Sequence, residues 1–359
     1  MGAATAPRAV RRALVLLGGL GVVTAVLAGC TAPAPAPTST PARTGYGGRP
    51  ITGAAEPGAA PVPTAKPAGR VIQLPADSHP WGVAVAPSVH RVYLAPRHRD
   101  ALDVVDLTTD AVTTKAVPGS ARMIDLASPT GTLLLPAEDK ARLYELALPS
   151  LDVVASAPTR KQPHQAVVVG GTTFVSEEYG HAVRVLRDGK RVTDLPQPVQ
   201  PGGITAADGR VAVVDVATST LFVYDASTLR LLAALPAGEG PSHVVPIGGS
   251  RVAVCDVRGN AVLTYDLAGT PRQLGRAAVP GRAFWIEADA TTGTIYTALP
   301  NTNRIARLHV DASGRPTLTG TIPTVQQPIS MDLDTASGTL YIGGSARSQL
   351  QIVPVSAFG

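Results

Sequence analysis

The chain has 359 residues, of which 16% are charged and only 4% aromatic, and its formal net charge is +5. Three of its positive charges, Arg8, Arg11 and Arg12, precede Cys30 with no acid beside them, so the remainder carries +2. No Lys/Arg run survives in that remainder, which excludes the basic footprint of a nucleic-acid-binding protein.

Residues 1–29 read as a secretory signal: a positive flank, an apolar run from Ala13 to Gly29, and small residues before a cut. The run is short for a stable membrane span. Leu27-Ala28-Gly29-Cys30 resembles the lipobox of bacterial lipoproteins. That resemblance implies lipidation of Cys30 and a chain anchored to the cell membrane on its extracytoplasmic face. A plain signal peptide or a short anchor is the alternative. Arg11-Arg12 fits a twin-arginine signal only in part, leaving Sec and Tat export both open.

Residues 30–68 are dominated by Pro, Ala, Gly and Thr and hold almost no large apolar side chains. Such a stretch buries too little surface to offset ordering, which predicts a disordered tether. In the polyproline form it would reach on the order of 100 Å. With Cys30 assigned to lipid, Cys255 is the only remaining thiol, so no internal disulfide is expected.

Residues 69–359 carry a repeat with a period near 40, the mark of a propeller or solenoid. Seven copies begin at Pro80-Trp81, Ala121-Arg122, Pro163-His164, Pro201-Gly202, Pro241-Ser242, Gly281-Arg282 and Pro328-Ile329. Each contains a 16-residue core that aligns without gaps, for example "RVAVVDVATSTLFVYD" (210–225) and "RVAVCDVRGNAVLTYD" (251–266). The segments are short, Val-rich and bounded by turns such as Asp188-Gly189 and Asp208-Gly209, which predicts four strands per copy. The last copy lacks its fourth strand, whereas an extra one, "RVIQL" (70–74), precedes the first. Ring closure resolves both and pairs an exposed edge. The expectation is an all-β, seven-bladed β-propeller of 28 strands, monomeric, with the N-terminal strand completing the last blade.

Units of the form "HPWGVAVAPSVHRVYLAPRHRDALDVVDLTTDAV" (79–112) resemble the YncE-like seven-bladed bacterial propellers over about residues 70–359. The resemblance implies an extracytoplasmic location and leaves the biochemical role open. No WD40 G-H…W-D signature is present.

Function is then sought where the copies differ, at the end of the ring where inner strands start and second strands finish. Equivalent positions there offer Trp81, Arg122, His164, His243 and Arg282 on the entering side. Glu177, Asp215 and Asp256 share one position on blades three, four and five, with Glu178 beside the first. The expectation is a split mouth, acids and histidines on one wall, and Arg97, Arg122 and Arg282 on the other. His164, Glu177, Asp215, His243 and Asp256 together suit a divalent metal, zinc or calcium-like. The competing reading has the aspartates capping turns and the histidines solvated. Trp81 either stacks on a ligand or caps the core of blade one. His164 or His243 beside Glu177 would supply a base for a lyase or hydrolase, but no nucleophile elbow or H-E-x-x-H occurs. Cys255, on a strand among Val and Ala, reads as packing.

Three functions follow, in order. The first is a lipid-anchored binding or scaffold module for a protein, wall polymer or small ligand; the second handles metal; the third is an enzyme at the same mouth.

Overall fold

A computed structural model describes residues 44–127 and 131–359. The predicted signal, Cys30 and the first part of the predicted tether lie outside the described residues.

The described residues form seven four-stranded antiparallel sheets. Six follow the chain in order, and the seventh combines the last three strands with Arg70–Gln73, which pairs with Gln349–Ile352 as Arg70↔Ile352 and Gln73↔Gln349. The same N-terminal strand leads directly into the inner strand of blade one, Pro80–Ala86. The repeat therefore predicts both the number of sheets and the fourth strand of the last one.

Apolar residues cluster between neighbouring sheets. Val213, Phe222 and Tyr224 of blade four meet Phe174, Val183 and Val185 of blade three. Ile72 and Leu350 of blade seven meet Val83, Leu94 and Val105 of blade one, so the last interface is built like the others. These side chains are almost fully buried, and each contributes about 1.5–3 kcal/mol relative to exposure. Cys255 belongs to the blade five–six cluster. Burial pushes its thiol up to about 12, as expected of a packing residue.

The inner strands are not uniform. In blades one, three, four, five and seven the pairing register slips at the first residues, just after Pro80, Pro163, Pro201, Pro241 and Pro328. Proline offers no N–H to the ladder, and a bulge there re-aims the residue that follows. In blades two and six the inner strand starts later than the repeat predicts, at Asp125 and Trp285. Arg282 ahead of the second takes a left-handed φ of +63°, which breaks the strand.

Residues 44–68 differ from the prediction. They are not a free tether but lie against the ring, bonded from Thr52 to Ala217 and from Ala68 to Pro323. Composition is a poor guide there because main-chain and side-chain groups of the propeller, rather than a core of the segment's own, hold its backbone.

Candidate functional site

The bulged residues converge. Trp81, His164, Gly202, Ser242, His243 and Ile329 all line one cavity at the mouth of the channel. Arg122, Glu178, Phe284 and Trp285 complete its wall, and Ala54, Ala55 and Glu56 roof it. A Cβ on Gly203 would stand 2.9 Å from the His243 Cα and 3.0 Å from the Ser242 carbonyl oxygen. Glycine at that position lets the inner strands of blades four and five approach, which seats His243 in the mouth. Gly203 is thus a packing partner of His243.

His243 is 8% exposed. Its Nδ1 lies 2.7 Å from the Phe284 carbonyl oxygen. A carbonyl only accepts, so Nδ1 carries the proton and Nε2 keeps a lone pair. Burial, reinforced by the neighbouring His164, pulls this imidazole down to about 3, so it is neutral at pH 7. Its ring packs 4.6 Å from that of Trp285 and 6.3 Å from that of His164.

His164 faces two carboxylates. Its Nδ1 is 3.8 Å from Glu138 and 3.9 Å from Glu178, too far for a hydrogen bond. That nitrogen is buried without a hydrogen-bond partner. Arg122 ties the same two carboxylates together, with Nε to Glu138 Oε1 and Nη2 to Glu178 Oε2. Gln200 Nε2 donates to the other oxygen of Glu178 at 2.9 Å. Burial alone would raise Glu178, but His164 and Arg122 outweigh it and hold the carboxyl below its usual range. Glu138 is lowered in the same way, burial being outweighed by His164 and Arg122.

The predicted metal set is not assembled. Asp215 accepts from the Val199, Gln200 and Ala217 amides and from Thr218 Oγ1. Asp256 accepts from the Glu239, Gly240 and Gly259 amides. Glu177 accepts from the Arg160 amide at 2.7 Å and pairs with Arg184 at 3.1 Å. All three acids hold the loop that enters their own blade, and none of them lines the mouth cavity; Glu177 does so through Oε1 alone, its Oε2 being buried without a hydrogen-bond partner. Among the described residues, the His/Cys/Asp/Glu group whose ligand atoms lie close enough for one ion is Glu138, His164 and Glu178, within 4.8 Å.

The split into an acidic and a basic wall is likewise corrected, because Arg122 sits among the acids. Arg97 stacks on Trp81, 4.3 Å from its ring centroid. Arg282 does not line the cavity but holds its roof, donating to the Glu56 carbonyl oxygen at 3.1 Å. The sequence reading missed Glu138, yet it occupies the same core position in blade two that Glu178 occupies in blade three. Comparing that next position across the copies would have found it.

Below the mouth the channel is lined by Asp125, Gln165 and Glu287 among apolar inner-strand residues. Burial raises Asp125 to about 7 and Asp332 to about 6, and raises Glu287 too.

No family model and no curated protein matches the chain. Solved structures do. A structure of U3-55K is 12% identical with a TM-score of 0.71, covering 81% of this chain and 100% of that one. The WD40 repeats of RRP9 are 13% identical with a TM-score of 0.70, covering 81% and 99%. A streptogramin B lyase is 14% identical with a TM-score of 0.67, covering 79% and 96%. Likeness at such identity carries the fold alone: the chain is a seven-bladed β-propeller, similar in architecture to WD40 and lyase propellers.

Proposed function

We propose that the protein is a binding module of the YncE-like kind, lipid-anchored through Cys30 on the extracytoplasmic face, whose ligand or protein partner engages the channel mouth. One observation carries the reading. Both tryptophans of the chain, Trp81 and Trp285, line a single cavity together with two histidines, Glu178 and Arg122. A concave apolar site with a few convergent polar groups is the usual form of a binding pocket. The likeness to WD40 propellers is consistent with it, and the lipobox resemblance supports the anchor.

In the test, a tagged chain is recovered from membranes with its partner. Trp81→Ala and Glu178→Gln are expected to lose the partner while remaining folded, and Val192→Ser on the outer strand of blade three is expected to keep it. Cys30→Ala should move the protein into the soluble fraction. Retention of the partner by both mouth variants would defeat the reading.

A divalent cation at Glu138, His164 and Glu178 is the second reading, favoured by the unpartnered His164 Nδ1. Imidazole with carboxylates suits zinc, which would have to displace the Arg122 guanidinium. Its readout is a zinc-induced rise in melting temperature that Glu138→Gln abolishes. The same groups would serve a lyase or hydrolase only with a nucleophile or leaving group brought by the substrate.

A further inference from the structure

Residues 52–61, Thr-Gly-Ala-Ala-Glu-Pro-Gly-Ala-Ala-Pro, run as a strap over the mouth. They touch blade four and then blades five, six and seven. Thr52 donates to the Ala217 carbonyl oxygen at 2.7 Å. Arg258 donates to the carbonyl oxygens of Gly53 and Ala54, at 3.1 and 3.3 Å. Arg282 binds that of Glu56. Gln327 reads both sides of one stretch, donating to Gly58 and accepting from the Ala60 amide, each at 2.6 Å. Asn303 donates to the Pro61 carbonyl oxygen at 2.8 Å.

Nearly all of these bonds go to main-chain atoms of the strap. Its side chains contribute little: Ala55 and Pro57 are buried, and the others are exposed or half-exposed. Ala55 fits a nook formed by Val257, Phe284, Ile329 and Trp81. Gly240 borders it so closely that an added Cβ would stand 2.7 Å from that of Ala55. The face therefore recognises a main chain that turns left-handed at Gly53 and Gly58, with a small residue between them and a proline two residues on. Glycine adopts that conformation without strain, so an Ala/Gly/Pro-rich peptide with the same glycine spacing offers the same main-chain groups. A segment that buries only two small side chains gains little hydrophobic stabilisation from its place on the ring.

We infer that this face is a docking groove for an Ala/Gly/Pro-rich peptide of a partner protein, and that residues 52–61 occupy it as an internal stand-in. The inference rests on the mouth being a binding site and adds the chemistry of the partner. A stand-in held in the same chain acts at an effective concentration in the millimolar range, so a partner peptide must displace it. Displacement would also uncover the cavity that Ala54, Ala55 and Glu56 roof.

The probe is a fluorescein-labelled peptide spanning residues 50–62, titrated against the full mature chain by anisotropy. Ala55→Arg in the protein puts a long charged side chain where the nook admits a methyl group, which frees the groove without altering a blade. Thr52→Pro, which removes the N–H bonded to Ala217, is a second release variant. Both are expected to bind the peptide about tenfold more tightly than the unaltered chain. A peptide carrying Ala55→Arg should not bind, and adding Arg258→Ala to a release variant should weaken binding about tenfold. Tryptophan emission should shift on release and return with peptide, because both tryptophans lie under the strap. Equal or absent binding to the unaltered and released chains overturns the inference. So does concentration-dependent dimerisation of the unaltered chain that Ala55→Arg abolishes, which would assign the groove to a second copy. Either result would leave the membrane partner and its dependence on Trp81 and Glu178 untouched, so the two readings fail separately.

Discussion

Asp256→Ala is expected to lower stability by about 3 kcal/mol, and Asp215→Ala by a similar amount, because each leaves several buried donors without an acceptor. Asp256 is 1% exposed and Asp215 is fully buried. Without Asp256, the Glu239, Gly240 and Gly259 amides lose their acceptor. These bonds fix the loop between blades four and five to the end of a second strand, so the loss spreads to the blade interface. Asparagine keeps one acceptor oxygen and should cost less than alanine at both sites. Chemical denaturation of the three forms of each site measures the difference. A loss under about 1 kcal/mol, or zinc binding that falls with either alanine, would return these aspartates to the list of ligand residues.

His243 is the source of the second large effect, and it depends on pH. The folded state holds its imidazole at about 3, against about 6.5 in an unfolded chain. Between those values the unfolded state binds more protons, so stability rises with pH and falls as pH drops from about 6.5 towards 3. The groups facing the ring are His164, Arg122 and Glu178, with the Phe284 carbonyl on Nδ1 and the Trp285 ring alongside. The Phe284 carbonyl and Glu178 favour a charged imidazole, and burial, with His164 and Arg122, outweighs them. Asp125, Asp332 and Glu287 act in the opposite sense. Their carboxyls are raised in the folded channel, so the stability that Asp332 and Asp125 contribute is lost as pH rises through about 6 and about 7, and Glu287 acts in the same direction. Comparing the unaltered chain with His243→Gln cancels that background. The variant is expected to be the less stable of the two at pH 8 and to gain about 3 kcal/mol relative to it by pH 4. A difference constant across that range would show that the ring is not buried neutral.

The repeat made the ring legible, because every copy must present the same inward pattern to the same two neighbours. Val213, Val254 and their counterparts could be placed from alignment alone. The strand starts of blades two and six were not legible, since Arg122 and Arg282 there answer to Glu138, Glu178 and Glu56 rather than to the strand ladder. The acids at the shared position of blades three to five were found correctly as a set. For Asp215 and Asp256 the competing reading as turn caps is the one that holds, through the Ala217 and Gly259 amides; the further amides of the entering loops were not legible, since backbone donors leave no trace in residue identity. Trp81, His164 and His243 were placed at the mouth because each follows the strand's leading proline or lies one residue beyond. The strap was invisible for a different reason. Composition reports whether a segment can build its own core, and this one cannot. Arg258, Gln327 and Asn303, each more than 200 residues away along the chain, supply its bonds instead.

The central claim is that the mouth, and not the outer surface of the blades, meets the protein's partner. Photo-crosslinking in intact cells tests it directly, with the reactive side chain placed either at Trp81 in the mouth or at Val192, which is 47% exposed on an outer strand. The account predicts a discrete crosslinked product from position 81 and none from position 192. A product from position 192 with none from position 81 would contradict it.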